Sequence, residues 1–230
     1  EIEPDLFNNY IGLVLISNGL AGEPSSDEED RRFSSVEGTN YLRQAVSRMD
    51  RSAFYDNYII GTVFRKNGDL EMAEKYLASA ERIVPDDRGV LLELAALYED
   101  QEKIDDALSR VRTAYGNEPQ DPSINNFYGY LLAVKGDSLD LAEQLISRAL
   151  DDDPANGYFL DSLGWVKFKK GEFSEALEIL LSASEIVEDD PVIWEHIGDT
   201  YMKLGQPELA FESYSRSAEV EPGRRGIDDK

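Results

Sequence analysis

Residues 191–224 read PVIWEHIGDTYMKLGQPELAFESYSRSAEVEPGR, and this stretch decides the fold. Asp190-Pro191 places a capping side chain before a proline at the first helical position. Trp194, Ile197-Gly198 and Tyr201 then recur three or four residues apart, the spacing of one helix face. Gly205 follows, where a helix end favours a left-handed residue. A second stripe runs from Ala210 to Tyr214, and Pro222 closes the stretch. Two short amphipathic helices joined by a glycine turn cannot bury their apolar faces alone, so the unit must stack on others like it.

Others like it lie upstream. Ala210 ends a series of Ala73, Ala107, Ala142 and Ala176, with gaps of 34 or 35 residues. Ala80, Ala114, Ala149 and Ala183 form a second series, seven residues downstream of the first. Gly61, Ala95, Gly129, Gly164 and Gly198 form a third, and Pro85, Pro119, Pro154 and Pro222 a fourth. Four series in register with a period of 34 mark a helix-turn-helix solenoid. The small residues predict places where two helices approach closely. Larger residues predict the filling between them: Ile60, Leu94, Tyr128, Leu163 and Ile197 in the first helix of each pair, and Leu77, Val111, Ile146, Leu180 and Tyr214 in the second. Gly68, Gly136, Gly171 and Gly205 predict left-handed turns, and Asp121-Pro122 predicts a capped helix start.

These residues resemble the tetratricopeptide-repeat family, with Ser217 departing from the family's preference for Ala. The resemblance implies an all-α, right-handed superhelical α-solenoid. It covers residues 1–224 as a single array of units 5–53, 54–87, 88–121, 122–156, 157–190 and 191–224, followed by a tail at 225–230. The fourth unit carries one extra residue near Gly136-Asp137-Ser138. The first unit holds a surplus at about 20–35, where Gly22 to Ser35 includes Ser25-Ser26-Asp27-Glu28-Glu29-Asp30 and no apolar period, and reads as an acidic loop. Phe159-Leu160-Asp161-Ser162-Leu163-Gly164-Trp165 is similar to repeats of bacterial envelope proteins. That likeness favours the periplasm or an outer-membrane association over the cytoplasm.

The resemblance also implies that the first helix of each pair lines a concave groove. It places there Tyr55, Tyr58, Thr62 and Arg65, then Asn126 and Tyr130, then Tyr158, Asp161, Trp165 and Phe168, and finally Glu195 and Asp199. Aromatic side chains at such positions suit partner anchoring, because they offer area together with a polar handle. Phe168 is the one among them expected to turn into the packing between repeats. Trp165 and Tyr130 are expected to be removable without loss of helix. Asp161, Glu195 and Asp199 would repel a terminal carboxylate, and the Lys and Asn pattern of chaperone-tail clamps is absent. Trp194 reads as a packing residue instead.

Composition narrows the rest. The 230 residues carry 23 Lys and Arg against 47 Asp and Glu, a net charge of −24. Such a surface repels nucleic acid and anionic membranes and suits a partner with basic and apolar residues. The longest apolar run, Tyr10 to Leu15, is too short to cross a bilayer, so no direct membrane insertion is expected. With no Cys, thiolate zinc sites and cysteine nucleophiles are excluded. His196, the single histidine, reads as a helix-surface side chain, and no metal, cofactor or enzymatic activity is expected. The expected function is a protein-interaction scaffold that grips an extended or helical segment of a partner. The alternatives are a homo-oligomer formed through an uncapped last helix and the docking segment of a longer protein.

Overall fold

The computed structural model describes residues 53–221. Among the described residues there are ten helices and no strand: α1 (Phe54–Lys66), α2 (Leu70–Ile83), α3 (Arg88–Asp100), α4 (Ile104–Asn117), α5 (Pro122–Lys135), α6 (Leu139–Asp152), α7 (Gly157–Lys170), α8 (Phe173–Ile186), α9 (Pro191–Lys203) and α10 (Pro207–Val220). The first expected unit, its acidic loop and the tail 225–230 lie outside the described residues. Two compact units divide between Arg110 and Val111.

In the first unit α1 packs on α2, and α2 on α3. Ile60, Val63, Leu77, Leu94 and Leu97 form its core, with Phe64 stacked on Tyr76 at 5.8 Å. In the second unit α5 packs on α6, α7 on α8 and α9 on α10. Each later pair leans on the one before, because α6 meets α7 and α8 meets α9. Leu180, Ala183, Ile193 and Ile197 are buried together at the last of these junctions.

The small-residue series has a direct steric cause. A Cβ built on Gly61 would stand 2.6 Å from Leu77, one on Gly129 would stand 2.6 Å from Ile146, and one on Gly164 would stand 2.6 Å from Leu180. Gly198 meets Tyr214 in the same way. Each pair links the small member of one series to the large member of another. At these four crossings the helices of a pair therefore meet with backbone against side chain, closer than a Cβ allows.

Turn chemistry follows the sequence at four places and departs from it at three, the first being Asp86 before α3 with φ 64°. Gly68, Gly136, Gly171 and Gly205 all take positive φ, between 73° and 83°. Between α3 and α4 no glycine is available, and Glu102 adopts φ 60° in its stead. The extra residue of the fourth unit is absorbed at Ser138, which starts α6 in the left-handed region without a side-chain cap. Asp69, Asp87, Asp121, Asn156 and Asp190 each accept backbone N–H bonds at a helix start. Four of the abundant carboxylates are thus spent on orphan amides.

A charged lock ties α6, α7 and α8 together. Lys167 donates to Glu143 (2.9 Å), Glu172 (2.9 Å) and Glu175 (3.0 Å), while Lys170 donates to Asp140 (2.8 Å) and Glu143 (2.7 Å). Hydrogen bonds from Lys170 and Lys167 hold the Glu143 carboxyl below its ordinary value of 4.5, against partial burial. Burial pulls the Lys167 ammonium down, but its three carboxylates more than offset that and raise it. A carboxyl whose folded pKa is depressed adds stability above its unfolded value and loses it as pH falls through the folded value. Glu143→Gln should therefore lower the urea midpoint at neutral pH, with the difference from wild type shrinking as pH falls below 4.5 and through the depressed folded value. A difference that stays constant with pH would exclude this ionic contribution.

Candidate functional site

In the second unit the first-of-pair helices α5, α7 and α9 lie side by side, with α7 touching both others. Their N-terminal halves enclose a cleft of about 250 Å³, lined from Asn126, Phe127 and Tyr130 across Tyr158, Asp161 and Ser162 to Asp190, Val192 and Ile193. The local causes are plain. Asn156 accepts from the N–H groups of Tyr158 and Phe159, which fixes the start of α7 and leaves Tyr158 56% exposed. Asp190 accepts from the N–H groups of Val192 and Ile193 and fixes the third wall. The Oδ1 of Asn126 is buried without a hydrogen-bond partner, an acceptor left unmet at the cleft's edge.

The expected groove residues divide into three kinds. Asn126, Tyr130, Tyr158 and Asp161 come together in the cleft. Trp165, Phe168 and Asp199 are committed to packing. The Trp165 ring stacks on Phe168 at 4.7 Å and on His196 at 4.1 Å, and Phe168 meets Phe173 edge-on at 5.4 Å. Phe168 thus turns into the packing as expected, and Trp165 goes with it. Asp199 accepts from the Tyr214 hydroxyl at 2.7 Å, tying α9 to α10. Burial, reinforced by that bond, pushes the Tyr214 phenol above its ordinary value. Glu195 lies half-buried on α9.

In the first unit Tyr55 is 67% exposed on α1. Tyr58 is half-buried and stacks on Phe54 at 6.3 Å, and burial followed by the Glu93 and Asp87 charges raises its phenol pKa. Thr62 spends its hydroxyl on the Tyr58 carbonyl at 3.0 Å. Arg65 pairs with Glu93 and Asp100, both at 3.0 Å. It is a strut between helices rather than a free cation.

His196 requires a correction. The sequence reading puts it on the helix surface, but it is 7% exposed and its Nδ1 lies 2.8 Å from Oδ1 of Asp161, itself 8% exposed. A polar ring can enter this packed layer only with a partner, and Asp161 supplies one. Asp161 is consequently a bound carboxylate that still forms part of the cleft wall. Phe127, Ser162 and Ile193 are cleft residues that the groove positions of the repeat do not select. One signal in the sequence does point to the buried pair. Asp161 and His196 are 35 residues apart, one repeat plus one, and the same separation joins Arg65 to Asp100.

Comparison with known proteins agrees with this architecture. Family models described as tetratricopeptide repeat match residues 92–157 and 192–224. The chain is 29% identical over 164 residues to the anaphase-promoting complex subunit CDC16 of Saccharomyces cerevisiae, covering 68% of this chain and 19% of that protein. It thus spans about a fifth of that relative's length. Among solved structures it resembles TTC0263 of Thermus thermophilus, a TPR protein, with a TM-score of 0.66, 20% identity, and coverage of 77% of this chain and 96% of that one. It also resembles YrrB, a TPR protein with an unusual peptide-binding site, with a TM-score of 0.51, 16% identity, and coverage of 80% and 93%. Likeness at these identities supports the fold, an all-α repeat solenoid. Repeats of this kind generally mediate protein–protein interaction and are generally non-enzymatic.

Proposed function

The chain belongs to the tetratricopeptide-repeat family, and we propose on that premise that it is a non-enzymatic scaffold whose α5–α7–α9 cleft grips a segment of a partner protein. One observation carries the reading. Tyr158 stands exposed at the mouth of an open cleft whose walls offer aromatic rings and acceptors, with the Asn126 oxygen unmet. An aromatic ring left in water beside a recess is the arrangement that interface hot spots adopt. Asp161, Asp190 and the unmet Asn126 oxygen bias the cleft toward negative charge and acceptors, so the favoured occupant carries Lys, Arg or exposed backbone N–H, with apolar residues for the tyrosines.

Selection of a random peptide display library on the purified chain supplies the ligand for a test. Tyr130→Ala with Tyr158→Ala should weaken selected peptides by about 30-fold or more, the equivalent of one strong hot spot. Tyr158→Ala alone should move the thermal midpoint little, because Tyr158 is largely exposed. Selected peptides whose affinity ignores both substitutions would remove the cleft from the reading. A bacterial periplasmic or outer-membrane setting is proposed from the 159–165 segment, and cell fractionation that finds the chain in the cytosol would exclude it.

A further inference from the structure

A second recess lies on another face of the same unit. Leu181 of α8, Trp194, Ile197 and Tyr201 of α9, and Leu209 and Phe211 of α10 surround a groove of about 480 Å³. Phe211 is 72% exposed, more than any other large apolar side chain described. Comparison with the preceding repeat shows what is unusual here. The charged lock of Glu143, Lys167, Glu172 and Glu175 has its counterparts 34 residues later at Leu177, Tyr201, Gln206 and Leu209. All four charged members are replaced by uncharged ones. Where one junction is closed by ion pairs, the next is open and apolar.

The rim of this groove says what covers it. Glu212, Arg216 and Glu219 alternate in sign along α10 and line the groove. No ion pair is formed by any of them within the described residues. The Arg216 guanidinium instead rests over the Trp194 ring at 4.9 Å. A chain of net charge −24 repels its own copies almost everywhere, so self-association needs a surface that carries its own countercharge. Two α10 helices related by a twofold axis perpendicular to them run antiparallel, and this lets Arg216 of each face Glu212 of the other. We infer that the α8–α10 groove is a homodimer interface, in which Phe211 of each copy enters the groove of the second and Arg216–Glu212 pairs set the register. This surface is separate from the α5–α7–α9 cleft, so partner binding and dimerisation can each fail without the other.

Sedimentation equilibrium on the full chain tests it. A dimer is expected, with Phe211→Asp and Arg216→Glu each weakening association by at least about tenfold. The swap Glu212→Arg with Arg216→Glu should restore it, since the pairs are rebuilt with reversed sign. Far-UV circular dichroism on each variant checks that the helices persist, and the swap guards against a variant that merely misfolds. A monomer at every concentration, with the groove left to another protein or to residues 222–230, overturns the inference. So does a dimer that survives Phe211→Asp, or a swap that fails to recover association.

Discussion

Gly129→Val should unfold much of the second unit, at a cost of about 3 kcal/mol or more. The glycine sits where α5 crosses α6, and an added Cβ would meet Ile146 Cγ1 at 2.6 Å and the Ala142 carbonyl oxygen at 2.8 Å. A side chain can rotate away, but a backbone carbonyl held in a helix cannot. Relief requires the two helices to part, which opens the layer of Tyr128, Leu132 and Ile146 to water. In a repeat array each unit is held largely by its neighbours, so the loss passes to the junction with the next pair. Gly116→Ala is the control of opposite sign. It lies in the last turn of α4 with no atom within 4 Å of the Cβ position, and should stabilise by about 0.4–1 kcal/mol through a less flexible unfolded chain. Urea denaturation of the two variants beside wild type separates close packing from a general intolerance of glycine replacement. Equal, small effects would mean that the interhelix approach is looser than these distances.

Trp165→Ala should destabilise by about 3–5 kcal/mol, in contrast to Tyr158→Ala on the same helix. The indole is sandwiched between Phe168 and the His196 ring, and Lys169 Nζ approaches it at 5.2 Å. Its removal strips the cover from the Asp161–His196 hydrogen bond and admits water to a pair that is otherwise buried. Thermal unfolding reads the effect directly. A variant as stable as wild type would show that the stack contributes little and would return Trp165 to the set of groove anchors that the sequence suggests.

That reversal shows where sequence reading stops. The repeat is legible because its constraints are steric and local: a crossing that excludes Cβ selects Gly61, Gly129, Gly164 and Gly198, and a positive φ selects Gly68, Gly136, Gly171 and Gly205. Even there, Glu102 and Ser138 take left-handed conformations that no composition rule announces. Side chains facing the neighbouring pair are harder to read, because their fate depends on which residue stands opposite. Trp165 and Tyr158 occupy the same helix and both suit an anchor. The first meets His196 across the junction and is drawn into packing, while the second stays 56% exposed at the cleft. Arg65 looks like a free cation until Glu93 and Asp100 are placed beside it.

Amide chemical-shift mapping of a display-selected peptide bound to the isotopically labelled chain is the most direct check that α5, α7 and α9 hold the partner. Perturbations should concentrate on Asn126–Tyr130, Tyr158–Ser162 and Asp190–Ile193, and vanish with Tyr130→Ala and Tyr158→Ala. Perturbations confined to α6, α8 and α10, with those three segments silent, would contradict it.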